Sequence, residues 1–516
     1  MQTTKRPFAL ALFASLISTL LFSCSEQENT ATLSVEITQT AEPTVLPSPT
    51  STPLVAANEN PLTGLPVKDA SLLDLPALLV SISHFPVEAR PQAGLSFAPW
   101  VFEVYITEGA TRFLTVFHGL FPEPEIPVTG DCAIRNEPFT QTSTIIGNRV
   151  WLDENANTIQ EGWEKGIGGI CIYLYREDGT LLYHTSTDSN GYYAFNVEPG
   201  RYVLDFQAPP WMQFVQKNSG DEETDSNVDP ATGQTEALDV TSSLHHVDAG
   251  LVLTSQPSTT STLPAAKVGP VRSGRLIYAD IAAFFPDSCL IYAFASPEVL
   301  ELLPQCYFVQ HDLEGGGYML DIDELKRLAQ ESKQYDVDYA SNAFDENIPE
   351  GGEPASRLDV YFAYLNQSAW VYDAAAESYW RYVDNADYDN PGVLHPEIDR
   401  LTGRQLQFEN VVVLFTEHDV ISPTNLDIHL EEDKEGYALL FRDGRMYDMF
   451  WSTDLSDAER ESGRHKPIHF INPDTKQLML LKPGRTWIIV VTPETEVTPQ
   501  ADGKWYLEFY QPAGAQ

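Results

Sequence analysis

Between residues 144 and 253 apolar side chains recur at every second position: Ile170, Ile172 and Leu174, then Tyr193, Phe195 and Val197, then Tyr202, Leu204 and Phe206. A period of two puts each triplet on one face of a strand. Asp178-Gly179, Asn190-Gly191 and Pro199-Gly200 supply turns between these runs, and about seven such strands within a hundred residues predict a β-sandwich. Strand-like runs also occupy 100–106 and 112–117, joined through 108–111, and 437–441 and 446–451, joined through Asp443-Gly444. The apolar run 487–491 reads as a buried strand, and only 296–303 and 322–334 read as helices. The predicted fold class is α+β with mostly antiparallel sheet.

The N-terminus has a different pattern. Lys5 and Arg6 precede an apolar run over 8–22, shorter than the ~20 residues a spanning helix needs but suited to the core of an export signal. The run ends in Leu21-Phe22-Ser23-Cys24, which resembles a bacterial lipobox; that resemblance implies diacylation of Cys24 and a mature chain held by membrane lipid on the extracytoplasmic face. An ordinary secretory signal or an uncleaved anchor is the plainer alternative. Residues 25–60, rich in Ser, Thr, Pro, Glu and Gln, bury too little to order themselves and read as a tether.

The length of 516 residues suggests about three domains. Against 74 acidic side chains stand 31 basic ones, a formal charge of −43, which opposes nonspecific binding to nucleic acid. Apart from Cys24 there are four cysteines, Cys132, Cys171, Cys289 and Cys306. In an oxidising compartment Cys289 and Cys306 are the favoured pair because they share a segment, although connectivity is not deducible and buried free thiols remain an alternative.

Asp153, Asn155 and Asn157 alternate, and Glu164 follows eleven residues after Asp153. Those are the first, third, fifth and twelfth positions of an EF-hand-type loop, whose hard oxygen donors wrap one calcium ion. Thr158 stands where such a loop usually turns on glycine. A solvated polar turn would show the same residues.

Gly147-Asn148-Arg149-Val150-Trp151-Leu152-Asp153, Gly168-Gly169-Ile170, Thr187-Asp188-Ser189-Asn190-Gly191-Tyr192 and Pro199-Gly200-Arg201-Tyr202 resemble the SdrD B-like, Cna-B-related domain of bacterial surface proteins. The resemblance implies an immunoglobulin-like sandwich that binds calcium and acts as a stiff surface spacer. It adds Asp188 and Asp225, in the acidic run 221–229, to the metal candidates.

On either side of this stretch, Ala89-Arg90-Pro91-Gln92-Ala93-Gly94-Leu95, Thr107-Glu108-Gly109-Ala110-Thr111-Arg112 and Gly269-Pro270-Val271-Arg272-Ser273 resemble the N-terminal domain of the YerB-like lipoprotein family. Tyr379-Trp380-Arg381, 409–414 and 481–487 resemble that family's C-terminal domain. The expected organisation is a signal peptide over 1–24, a tether over 25–60, a split N-domain over 61–125 and 265–355, an inserted sandwich over 144–253, and a β-rich C-domain over 356–510.

Arg90, Gln92, Arg112, Arg272 and Arg275 fall in or beside the three N-domain strings, together with Glu103 and Glu108. Guanidinium forks suit carboxylate or phosphate, so a face for an anionic envelope polymer, or for a surface protein, is one reading. Internal pairing of the arginines with Glu103 and Glu108 is another, and leaves a purely structural scaffold. A third makes Glu103 and Glu108 the carboxylate pair of an envelope glycan hydrolase. No nucleophile elbow, phosphate loop, dinucleotide fingerprint or close histidine metal pattern is present, and catalysis is the least favoured reading.

Overall fold

The computed structural model describes residues 58–255, 262–304, 306–308, 317–462 and 468–515. The export-like segment, Cys24 and nearly all of the tether lie outside these residues. Among the described residues no helix is long and apolar enough to cross a membrane.

The fold is mostly β, as the alternation predicts. A 13-stranded mixed sheet forms the centre of the host. Its strand Leu78–Ser83 pairs on one side with Ala110–Phe117, which precedes the insert. On the other side it pairs with Lys267–Val271 and Cys289–Tyr292, which follow it. The N-domain is therefore split in sequence and continuous in space.

The same sheet runs on into the C-terminal half. Trp100–Thr107 pairs in parallel with Thr486–Val491, which pairs in parallel with Asn410–Phe415. Near-continuous apolar runs such as Val411 to Leu414 and Trp487 to Val491 are fully buried, as expected of strands covered on both faces. A seven-stranded sheet, including Arg357–Ala363, Asn366–Asp373, Ser378–Asp384 and Lys504–Glu508, packs against it. Where the two layers meet, Gly109 at the tip of the Trp100–Thr107 hairpin has φ +80°, and a Cβ there would lie 2.0 Å from the Cβ of Ala363. Only glycine combines that backbone conformation with so close an approach.

The insert is a sandwich of two four-stranded sheets. The residues at alternating positions, Ile172 and Leu174, Tyr193 and Phe195, Leu204 and Phe206, fill its core as the period of two requires. Cys171, next to Ile172, points outward and forms a disulfide with Cys132; Cys289 and Cys306 form the second.

The entry segment lies along the insert and is bonded to it. Gly130 N–H donates to Gly168 O (2.8 Å), Cys132 N–H to Gly169 O (2.9 Å) and Arg135 N–H to Thr187 O (3.1 Å). The insert in turn rests on the C-terminal half of the host, where Arg404 donates to the carbonyls of Gly166 (3.2 Å) and Ser189 (2.7 Å). The spacer-like arrangement implied by the resemblance becomes here a laterally docked module.

Two further helices escape the periodicity reading, Ile277–Ala283 and Asp457–Ser462. They are too short for a repeat to stand out. The first carries Tyr278, whose hydroxyl lies 3.4 Å from Ser81 Oγ.

Candidate functional site

The seven N-domain candidates separate into two environments. Glu103 is fully buried between the two sheets and faces Arg381, also fully buried, with Arg381 Nη1 3.3 Å from Glu103 Oε2. Arg381 Nε donates to Glu397, and its guanidinium lies 4.3 Å from the ring centroid of Trp487 and 5.0 Å from that of Trp370. Burial alone would make this cation easier to deprotonate; Glu103 and Glu397 reverse the sign and raise its pKa. Trp487 Nε1 donates to the same oxygen, Glu103 Oε2 (3.0 Å).

Arg90 belongs to the same cluster. It donates through Nη1 to Asp384 O, and its Nη2 donates to His84 Nε2 (2.7 Å). With that nitrogen accepting, His84 Nδ1–H donates to Thr111 Oγ1 (2.8 Å), whose hydroxyl donates to Glu103 Oε1 (3.0 Å). His84 is held neutral in this chain, its pKa pushed well below the ordinary value by burial and then by Arg90, Arg381 and Arg112. Gln92 is fully buried and donates to Ser83 O.

Glu108 is exposed at the hairpin turn. Five residues of extended strand separate it from Glu103, roughly 15 Å, beyond the ~5–9.5 Å of a glycosidase pair. Internal pairing with Glu103 or Glu108 therefore describes none of Arg112, Arg272 and Arg275.

These three arginines gather on the strand-end side of Leu78–Ser83. Arg112 is 5% exposed and donates through Nη1 to Ser83 Oγ (3.0 Å). Arg272 Nε donates to the same oxygen (3.3 Å). Arg275 donates through Nη1 to Gly274 O (3.2 Å). The Nε atoms of Arg112 and Arg275 are buried without an acceptor, and among the described residues neither side chain forms an ion pair with a carboxylate. Burial, then Arg275 and Arg272 against a small opposing effect of Tyr278, pushes the pKa of Arg112 down to about 9. Burial also lowers those of Arg272 and Arg275. Arg112 stays charged at neutral pH, so it and Arg275 place positive charge here with no ion-paired carboxylate of their own among the described residues.

The acidic loop of the insert has the opposite imbalance. Asp153 accepts from the backbone N–H groups of Asn157 (3.1 Å) and Thr158 (2.9 Å). Glu164 accepts from Glu154 N–H (2.9 Å) and Glu161 N–H (3.1 Å). Both Asn155 and Asn157 turn their amide nitrogens to Glu161 Oε1, whose partner Oε2 is buried without a donor. Burial, followed by the like charges of Glu161 and Asp153, raises the Glu164 pKa to about 7. No three His, Cys, Asp or Glu side chains among the described residues already stand in a metal-holding group; the oxygens of this loop are amide and backbone as well as carboxylate.

Glu161 is a candidate that the sequence reading missed, although it occupies the ninth position of the same twelve-residue loop. Thr158 takes the turn conformation at φ +69°. Asp225 lies next to Thr224, whose carbonyl accepts from Gln160 N–H (2.7 Å), and its pKa is raised by burial and by Asp221 and Glu222. Asp188 is elsewhere. It is fully buried at the host contact, 3.4 Å from Arg135, which also pairs with Asp373 (2.5 Å), and it accepts from Gln407 (3.3 Å). Its place is a docking ion pair, apart from the loop.

The comparisons with known proteins follow this division. Residues 62–129 match the N-terminal domain, and 358–488 the C-terminal domain, of a protein family of unknown function, DUF3048. Residues 144–251 match the SdrD B-like domain. The chain carries the N- and C-terminal DUF3048 domains with an SdrD B-like domain set between them.

The relatives of the inserted domain include the serine-aspartate repeat-containing protein F of Staphylococcus epidermidis, 40% identical over 84 residues, 16% of this chain and 5% of that protein. A fibrinogen-binding protein of Staphylococcus epidermidis is 40% identical over 79 residues, 15% of this chain and 7% of its own length. Serine-aspartate repeat-containing protein D of Staphylococcus aureus (strain Newman) is 41% identical over 90 residues, 17% of this chain and 7% of its own. The DUF3048 chain thus spans only a small fraction of these relatives. Among solved structures, the YerB protein from Bacillus subtilis aligns over 84% of this chain and 96% of its own at 18% identity, with a TM-score of 0.45.

Proposed function

We propose that this DUF3048 protein is a lipid-anchored, extracytoplasmic interaction protein that binds an anionic envelope group through Arg112 and Arg275, with Arg272 beside them. One observation carries the reading: Arg112 and Arg275 act on one another electrostatically, each has a buried Nε without an acceptor, and neither has a carboxylate partner among the described residues. Of the other enclosed arginines, Arg381 pairs with Glu103 and Glu397, Arg404 with Glu125, and Arg442 with Asp443, while Arg149, whose Nε also lacks an acceptor, donates to Glu164 O. An uncompensated buried charge costs several kcal/mol, and such departures from good packing collect at functional sites.

The export-like segment with Cys24 supports this location, as does the inserted domain, whose relatives include serine-aspartate repeat-containing proteins and a fibrinogen-binding protein. Calcium is the proposed ion of the insert, held by Asp153, Asn155, Asn157, Glu161 and Glu164, where it would neutralise the crowded carboxylates.

The test is retention of anionic envelope polymer by the full chain. Arg112→Met is expected to lose retention while keeping the melting temperature; loss of both would make the arginine structural. Labelled palmitate is expected to enter the wild type and not Cys24→Ser.

A further inference from the structure

The reading of Arg112 and Arg275 as an anion site leaves open which oxyanion they take. Resting on that reading, we propose that the pair holds a tetrahedral, doubly charged phosphoryl group, as in orthophosphate or a phosphate monoester, in preference to a carboxylate.

Each guanidinium commits one terminal nitrogen internally: Arg112 Nη1 to Ser83 Oγ at 3.0 Å, and Arg275 Nη1 to Gly274 O at 3.2 Å. What remains on each is the side that carries Nε and Nη2, with both Nε atoms buried and lacking an acceptor. This side presents two parallel N–H groups and is the fork that binds two oxygens at once. Two forks present four N–H groups. A carboxylate has two coplanar oxygens and fills one fork; a phosphoryl group has three terminal oxygens in a tetrahedral arrangement and can engage both.

Charge leads to the same choice. The two guanidiniums carry two unneutralised charges in a largely enclosed setting, which a carboxylate would only half balance and a dianion balances fully. The neighbouring hydroxyls leave the guanidiniums as the recognising groups. Ser83 donates to Phe85 O (2.6 Å) and Ser81 to Ser273 O (3.0 Å). Tyr278, 3.4 Å from Ser81 Oγ, is left to donate to that oxygen. Both arginines act on Tyr278 electrostatically and Arg275 acts on Arg112, so the two guanidiniums lie near one another and near that hydroxyl.

The experiment measures the melting temperature of the full chain against orthophosphate, sulfate and acetate at matched ionic strength. A ligand bound only to the native state must raise it in proportion to occupancy. Orthophosphate and sulfate are expected to raise it and acetate to leave it unchanged. The phosphate response is expected to strengthen as pH rises through about 6, where the second proton leaves, while the sulfate response stays flat. Arg112→Met and Arg275→Met should each weaken phosphate binding on the order of tenfold or more, the scale of a charge-assisted hydrogen bond. Arg275 is only half-buried, so its variant decides the matter should Arg112→Met fail to fold.

Equal, Arg112-dependent stabilisation by acetate would overturn the phosphoryl assignment and leave the anion site standing. A phosphate response untouched by both substitutions, or no response to any anion, would overturn both. A second arm separates the sources of the group. Phosphatidylcholine vesicles with and without phosphatidic acid report a membrane monoester: binding that requires phosphatidic acid and Arg112 assigns the lipid, and orthophosphate stabilisation without vesicle binding assigns a soluble or polymer-borne phosphate.

Discussion

Two arginine-centred regions, one around Arg381 on Ser378–Asp384 of the seven-stranded sheet and one around Arg112 on Ala110–Phe117 of the 13-stranded sheet, have opposite electrostatic outcomes. Around Arg381, with Arg90 nearby, the carboxylates of Glu103, Glu397 and Asp384 balance the cations, aromatic rings enclose them, and a hydrogen-bonded relay through His84 and Thr111 closes the network. Around Arg112 the cations face one another and Ser83, and the bonding capacity of two Nε atoms goes unused. In the first region the protein's own carboxylates balance the charge, although Arg381 Nη1 and Nη2 and Glu397 Oε1 are buried without a hydrogen-bond partner. In the second, on the function proposed above, a bound anion would supply that balance. Buried charge of one chemical type can thus hold a fold together or be held ready by it, and the presence of partners is what distinguishes the two.

The strongest way to break this contrast is Arg381→Met. It strands Glu103 and Glu397 in the interior and should cost about 3–5 kcal/mol, read from urea unfolding of the full chain; a loss below about 1 kcal/mol would show that the network does not hold the sheets together. Next in size is the acidic loop, which mirrors the Arg112 site with the sign reversed. Glu164 has a folded pKa of about 7 against an ordinary 4.5, so the folded chain keeps a proton that the unfolded chain has released. Stability from this group should fall as pH rises from about 4.5 to 7 and be level outside that window. Saturating calcium is expected to abolish the fall and raise the melting temperature of the insert; a slope indifferent to calcium would remove the loop as a cation site.

Smaller still is Arg112→Met without ligand, expected to be neutral or stabilising by about 1 kcal/mol. A destabilisation of the size seen at Arg381 would erase the difference between the two regions. The smallest effect sharpens the loop. Thr158→Gly relieves a β-branched residue at φ +69° and should stabilise the calcium-free insert by up to about 1 kcal/mol, measured by thermal melting.

Much of this was legible before any coordinates. Alternating triplets marked the insert's core, and the strings around Arg90, Arg112 and Arg272 marked one host domain cut in two. Arg381 was visible in its string, but its role was not. It stands between Tyr379 and Val383 at alternating, inward positions of a strand, a pattern that signals a buried cation in need of a partner. Glu161 had the right loop spacing and was passed over. Asp188, by contrast, was assigned to the metal from its motif, whereas its environment comes from Arg135 and Gln407, 53 and 219 residues away.

Local rules, the period of two and the residues that turns require, depend on neighbours in the chain, and so the sequence alone determined the strands, the sandwich, the split host domain and the presence of an acidic loop. Whether a given arginine is neutralised depends on what arrives from hundreds of residues away. The packing of the seven-stranded sheet on the 13-stranded one brings Arg381 over Glu103, while the pairing of Leu78–Ser83 with Lys267–Val271 gathers Arg272 beside Arg112 with Ser83 between them. Coulombic energy depends on separation in space and on burial, which only the tertiary structure sets, and it is there that one set of arginines gained carboxylate partners and the other became the proposed site.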